Sequence, residues 1–167
     1  IAGPLDVAVP AGVHAVRVET TAQMRDAVER ALAGADALIM AAAPADFAAA
    51  APSIGKIKKA ELGDTIALTA TDDILVTTRG SRSSACVTVG FALETGDARS
   101  EARRKLADKS LDFIVANDAL EDGAGFAIDT NRVTIVHADG REESLPLQSK
   151  TQVADEILDR VEELLRG

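Results

Sequence analysis

Tryptophan and tyrosine are absent from this chain, and four phenylalanines leave aromatics at 2% of 167 residues. The 47% hydrophobic content is largely aliphatic, much of it alanine, a composition that suits close packing of helices on a sheet. Cysteine is scarce too. The single Cys86 excludes an internal disulfide framework and suits a reducing compartment. No apolar run approaches the roughly 20 residues that span a bilayer. No charged segment leads into an apolar stretch at the start, which argues against a signal peptide. The cytoplasm is the expected location. Positive charge is in deficit: 18 Lys and Arg against 27 Asp and Glu leave a net −9, which argues against a general nucleic-acid or membrane-surface binder. Any phosphate site must therefore be a local basic patch in an acidic field. The GxGxxG fingerprint, the P-loop and the nucleophile elbow are all missing, which counts against a dinucleotide-dependent oxidoreductase. With no internal repeat, low-complexity tract or linker, residues 1–167 are expected to form one domain, large enough to bury about two-thirds of its unfolded surface.

What is present alternates between strand and helix. Val16 and Val18 between Arg17 and Glu19 suggest a short strand. Thr20 with Gln23 forms a capping box for a helix striped by Met24, Ala27, Val28, Ala31 and Leu32 and closed by Gly34. Ala37 to Ala42 is a continuous apolar run, the pattern of a parallel strand buried on both faces. Residues 65–69 suggest an edge strand, and Thr71-Asp72-Asp73 a helix N-terminus with a hydroxyl cap and acids in its first turn. Cys86 to Ala92 is another buried strand, followed by a helix from about Ala98 to Lys109, capped near Asp97, and a strand from Leu111 to Ala116. Arg132–His137 and Arg141–Leu147 flank Ala138-Asp139-Gly140, a hairpin signal. The last helix runs from Ser149 to Arg166, with Val153, Ile157, Val161 and Leu164 on its buried face. The expected fold is α/β: a Rossmann-like three-layer sandwich with a mostly parallel sheet and an antiparallel appendage.

The candidate chemistry centres on the stretch from Leu38 to Lys59. An apolar strand there empties into a loop of small residues, which lets a ligand approach the backbone, at the strand end where open α/β sheets bind ligands. Asp46 in that loop suits a ribose hydroxyl, a metal or an amine, or equally a local turn cap. Lys56, Lys58 and Lys59 read either as a clamp for an anion or as a solvated edge strand. Lys105 and Lys109 lie four apart on one helix face, facing an anion or balanced by Glu101 and Asp108. Phe91 fits the core, or a base stacked at a strand end. Cys86 reads as a buried structural thiol. His14 and His137 are isolated, and Arg79-Gly80-Ser81 reads as loop.

Taken together, MAAAPADF (Met40–Phe47), GKIKK (Gly55–Lys59), VGFALET (Val89–Thr95) and VANDAL (Val115–Leu120) resemble the phosphopantothenoylcysteine synthetase family, the synthetase half of a bacterial bifunctional coenzyme A biosynthesis protein. The lysine block ten residues after the acid, and the lysine pair after the Gly-Phe strand, agree in spacing. The resemblance implies a ligase in which CTP activates the carboxylate of 4′-phosphopantothenate as an acyl-cytidylate, releasing pyrophosphate. The amine of L-cysteine then displaces CMP. It also implies Mg²⁺ or another divalent ion with unassigned ligands, a homodimer, and a fused or partnered flavin-dependent decarboxylase.

By position, the resemblance implies that Met40, Ala41 and Ala42 border the nucleotide with their backbone and that Asp46 holds it. Lys56 would act catalytically from a flap over the phosphates. Asp72, Asp73, Ile74 and Leu75 would set a helix N-terminus beside the nucleotide, with Phe91 near the base and Lys105 and Lys109 facing the triphosphate. Two departures stand out. Thr71-Asp72-Asp73-Ile74 replaces the family's usual Asn-Pro-Asp-Ile, adding an acid near a triphosphate. The family's opening strand, its glycine-rich turn and a Ser-Asn-x-Ser-Ser-Gly segment with an essential asparagine have no counterpart here. The chain is therefore expected to be a synthetase domain truncated at its N-terminus that cannot complete the ligation alone. The competing reading is a non-catalytic nucleotide-binding or dimerisation module, with the hairpin at Ala138–Gly140 as a candidate dimer surface.

Overall fold

A computed structural model of the chain describes every residue except 6, 7, 54, 59–64, 95–97 and 119–128. The expected cap at Asp97, the third lysine Lys59 and the end of the VANDAL block at Leu120 lie outside the described residues. In chain order the elements are α1 (Thr21–Leu32), β1 (Ala37–Met40), β2 (Phe47–Ala49), β3 (Leu68–Ala70), α2 (Ile74–Thr77), a 3-10 turn (Arg79–Ser81), β4 (Val87–Glu94), α3 (Ala98–Lys109), β5 (Phe113–Asp118), β6 (Thr130–Asn131), β7 (Thr134–His137), β8 (Glu142–Ser144), β9 (Gln148–Ser149) and α4 (Lys150–Arg166). They divide into two compact units, Ile1–Arg30 with Ala43–Thr78 and Ala31–Ala42 with Arg79–Gly167.

The second unit holds a mixed five-stranded sheet in the order β1-β4-β5-β7-β8. β1, β4 and β5 run parallel, with Met40 opposite Gly90 and Phe91 opposite Val115; β7 and β8 add on antiparallel. This is an α/β fold. Alternate residues Val87, Val89, Phe113 and Val115, with Val133 and Ile135, turn one face of the sheet toward Val153, Ile157 and Val161 of α4. Those three helical residues are spaced four apart, so they form one stripe. Leu164, one turn further, is 45% exposed. The intervening residues Thr88, Ile114, Ala116 and Val136 are buried as well, and α3 packs against β4, β5 and β7.

β1 differs from the expectation of burial on both faces. It is an edge strand, with Ile39 37% exposed and only Met40 buried. Its unbroken apolar run cannot distinguish a central strand from an edge strand. The hairpin forms as expected, and Gly140 closes it at φ +90°, a conformation open to glycine at little cost. The ribbon pairing β6 with β9 is two residues long, too short for any periodicity to announce it. Ser149 then caps α4 in a full capping box with Gln152.

In the first unit the capping box at α1 is present, with Gln23 N–H donating to Thr20 Oγ1 at 3.1 Å and Thr20 N–H to Gln23 Oε1 at 3.2 Å. Ala27, Val28 and Leu32 are buried, and Ala31 is exposed. The strand expected at Val16–Glu19 reduces to one bridge between Ala2 and Arg17. Beyond Asp46 the small-residue loop becomes β2, which pairs antiparallel with β3. Alanine carries no polar–apolar alternation, so that pairing had no signature. α2 is a single turn capped by Asp73 instead of Thr71, whose hydroxyl donates to Ala45 O at 2.5 Å.

Candidate functional site

The candidate residues divide between the two units. In the first, the β2–β3 ribbon sets Asp46 beside Thr71, whose N–H donates to Asp46 O at 2.9 Å. The Asp46 side chain is exposed. Asp72 and Asp73 follow immediately, and each carboxylate has a protein partner. Asp73 Oδ1 accepts from Val76 N–H at 3.2 Å, capping α2. Asp72 pairs with the Arg25 guanidinium on α1, which also bonds Asp26 at 2.7 Å. The Asp26 and Asp72 carboxylates raise the Arg25 guanidinium above its ordinary range. The extra acid is thus ion-paired. Ile74 and Leu75 are buried side chains, so they anchor the turn and leave only backbone to a ligand. Four residues give α2 almost no macrodipole, so the helix N-terminus expected there reduces to a capped turn. Lys56 stands exposed between β2 and β3, next to Gly55, whose N–H donates to Ser53 Oγ at 3.2 Å.

In the second unit Met40 closes β1, and Ala41 and Ala42 are exposed immediately beyond the strand end. Opposite Met40, Gly90 admits the side chain of Leu111: a Cβ at Gly90 would lie 2.6 Å from Leu111 Cδ1. Ile39, Phe91 and Leu93 share a pleat face with Val89 and are 37%, 36% and 40% exposed. Phe91 is therefore a surface residue but lies within β4 and not at the strand end expected of it, because the strand runs on to Glu94; two aliphatic neighbours that sequence reasoning did not single out join it.

Lys105 and Lys109 occupy the second half of α3. Lys105 Nζ lies 3.9 Å from Glu101. Arg104 also bonds Glu101, more closely than Lys105 does, and holds Asp108 at 2.9 Å. Its hydrogen bond holds the Glu101 carboxyl below its ordinary value. The acids expected to balance the lysines are thus shared with an arginine.

The end of α3 contains the residues that sequence reasoning missed. Ser110 takes the left-handed conformation at φ 52°. Its N–H donates to Ala107 O at 3.2 Å, and the Leu111 N–H to Leu106 O at 3.0 Å, which is a Schellman turn. Arg79 donates to Asp108 O, and Arg82 Nη1 to Lys109 O at 3.0 Å and Ser110 O at 3.4 Å. The only sequence signal was two arginines three apart in a polar stretch, which names no partner.

Elsewhere, Cys86 is buried and its thiol is pushed up by desolvation, consistent with a structural role. His137 lies tilted against Phe113, ring centroids 5.6 Å apart, and bonds Glu143 at 2.7 Å, so it belongs to the core and adjoins an ion network. Among the described residues no three His, Cys, Asp or Glu side chains gather to hold a metal ion. No helix of the described residues is long and apolar enough to cross a membrane.

Over residues 1–165 the sequence matches the family described as DNA/pantothenate metabolism flavoprotein C-terminal domain. It is 43% identical over 162 residues to a coenzyme A biosynthesis bifunctional protein CoaBC of Bacillus subtilis (strain 168), covering 96% of this chain and 40% of that protein. The protein of the same name from Mycobacterium tuberculosis (strain ATCC 25618 / H37Rv) is 40% identical over 168 residues, covering 95% and 40%. The chain thus spans about two-fifths of the length of these curated relatives. A crystal structure of the C-terminal domain of CoaBC superposes with a TM-score of 0.79 at 33% identity, covering 98% of this chain and 72% of that one. A DNA/pantothenate metabolism flavoprotein from Streptococcus pneumoniae shares the fold at 17% identity, with a TM-score of 0.72 over 89% of this chain and 72% of that one.

Proposed function

The chain belongs to the DNA/pantothenate metabolism flavoprotein C-terminal domain family, and on that premise we propose that it is the phosphopantothenate–cysteine ligase domain of coenzyme A biosynthesis. The observation that carries this reading is the match at 33% identity to the solved C-terminal domain of CoaBC across 98% of the chain. In this reading the carboxylate of 4′-phosphopantothenate attacks the α-phosphorus of CTP. That step forms the acyl-cytidylate and releases pyrophosphate. The amine of L-cysteine then attacks the acyl carbon, and CMP leaves with the bonding electrons.

Both steps bring anions together, so cations must converge on the phosphates. In this reading Lys56, Lys105 and Lys109 are the cations, in a chain of net charge −9. Lys56 acts during turnover of the acyl-cytidylate. Met40, Ala41 and Ala42 let the nucleotide approach the backbone, and Asp46 accepts from a ribose hydroxyl. The exposed ring of Phe91, beside Ile39 and Leu93, offers an apolar face to the base. The backbone from Asp72 to Leu75 lies beside the nucleotide, with the Asp72 charge countered by Arg25. The described residues offer no three-donor metal cage, and Mg²⁺ keeps most of its ligands as water and phosphate oxygen, so it enters as the Mg²⁺ salt of CTP.

The test has two stages. Mg·CTP at 100 times its dissociation constant should stabilise the chain by about 2.7 kcal/mol, whereas NAD should not. Cysteine-dependent release of CMP from 4′-phosphopantothenate then separates a ligase from a nucleotide-binding module that stops at CTP. Thermal midpoints unmoved by CTP would sink the reading at its first stage.

A further inference from the structure

We propose that Arg79 and Arg82 are positioning residues for the nucleotide lysines: by holding the last carbonyls of α3, they set where Lys105 and Lys109 stand. The proposal rests on the ligase reading above.

A helix leaves its last four carbonyls without intrahelical partners. In α3 these belong to Leu106, Ala107, Asp108 and Lys109, and all four are accounted for. Leu106 O and Ala107 O accept from the N–H groups of Leu111 and Ser110. Asp108 O accepts from Arg79, and Lys109 O from Arg82 at 3.0 Å. The two arginines therefore complete what the turn leaves undone, and one of them grips the backbone of Lys109 itself. They reach it from 29 and 27 residues away, across the whole of β4.

The turn they complete is one that helices commonly give to glycine. Ser110 holds φ 52° there, a conformation that costs a residue with a Cβ on the order of 1 kcal/mol. A strained residue persists where its surroundings over-determine it, and Arg82 also bonds the Ser110 carbonyl at 3.4 Å. Both guanidinium groups sit at the negative end of the helix, where cations are favoured.

The consequence for the lysines is geometric. Lys105 and Lys109 share a face only while the last turn of α3 is wound, since four residues make about one turn. If that turn frays, Lys109 swings off the face that Lys105 still occupies. Two lysines that should meet one polyanion then no longer converge. The segment from Arg79 to Arg82 is thus tied to phosphate affinity through the backbone of α3.

The experiment is a calorimetric titration with Mg·CTP, well below the melting temperature, of the unsubstituted chain and of Arg82→Ala, Arg79→Ala, Arg82→Ala with Ser110→Gly, and Lys105→Ala. Arg82→Ala should weaken CTP binding about tenfold, equivalent to about 1.4 kcal/mol. Ser110→Gly in the same chain should recover most of that loss, because glycine re-forms the turn without strain. Arg79→Ala, which removes a single carbonyl bond, gives the same readout if Arg82→Ala fails to fold. Affinity within twofold of the unsubstituted chain in both arginine variants overturns the proposal. So does a loss that Ser110→Gly leaves in place while restoring the melting temperature, since Arg82 would then meet the nucleotide directly. Failure of the unsubstituted chain to bind CTP, or binding indifferent to Lys105→Ala, defeats the ligase reading itself and takes the proposal with it.

Discussion

Gly90 in β4 and Ser110 beside Lys109 show how backbone and packing constrain side chains in opposite directions. Gly90 is small because Leu111 needs the space: an added Cβ would stand 2.6 Å from Leu111 Cδ1 and 3.7 Å from Ile114 Cγ1. Gly90→Val adds three carbons where these two side chains are buried. It should cost about 1–3 kcal/mol by overpacking, read as a lower urea midpoint at unchanged slope. Ser110 is the reverse case, a side chain where glycine fits better. Ser110→Gly alone should raise stability by about 0.5–1 kcal/mol, because relief of the left-handed strain outweighs the added freedom of the unfolded chain. A stability unchanged or lowered by that substitution would show that the Ser110 side chain contributes more than its backbone costs.

At the scale of elements, the β7–β8 hairpin is tied to α4 through ions. Glu143 bonds Arg160 at 2.6 Å and His137 at 2.7 Å, and Arg160 bonds Glu156 at 2.7 Å on its own helix. The Arg160 hydrogen bond, with a further one from His137, lowers the Glu143 carboxyl below its ordinary value of 4.5. A depressed carboxyl favours folding wherever it is ionised in both states. That contribution is complete above the unfolded value of 4.5, and it is lost as pH falls through the lower folded value. Glu143→Gln should therefore cost about 1–3 kcal/mol near neutral pH, since it leaves Arg160 short of a charged partner. The gap between the two proteins should narrow as urea titrations are carried below pH 4.5, and a gap independent of pH would refute the ionic account.

For the molecule as a whole, apolar burial is uneven. The sheet of the second unit holds side chains with no exposed surface, among them Ile135, Phe113 and Val115, whereas every residue of the β2–β3 ribbon in the first unit is exposed. Ile135→Ala should cost about 2–5 kcal/mol, combining lost transfer energy with a cavity. Phe47→Ala, at a ring 60% exposed, should change the stability of the isolated chain by less than about 0.5 kcal/mol. Equal losses at the two positions would mean that the ribbon is packed in solution. The ligase reading belongs to this scale too, because the chain carries about two-fifths of the length of its curated relatives.

Much of this was legible in the residues alone, for reasons of range. The periods of helix and strand repeat within a few residues, so α1, α3, α4, β4 and the β7–β8 hairpin declared themselves locally. The short blocks around Met40, Gly55, Val89 and Val115 pointed to the family in the same way, through residue types at fixed spacing. What only the tertiary structure decided was partnership between distant residues. Nothing near Arg25 names Asp72, 47 positions on, and nothing near Arg82 names Lys109. An apolar run like β1 reads alike at the centre or the edge of a sheet, because its neighbours are chosen elsewhere in the chain. Composition and period set which elements form; the path of the backbone sets which charges and carbonyls they meet.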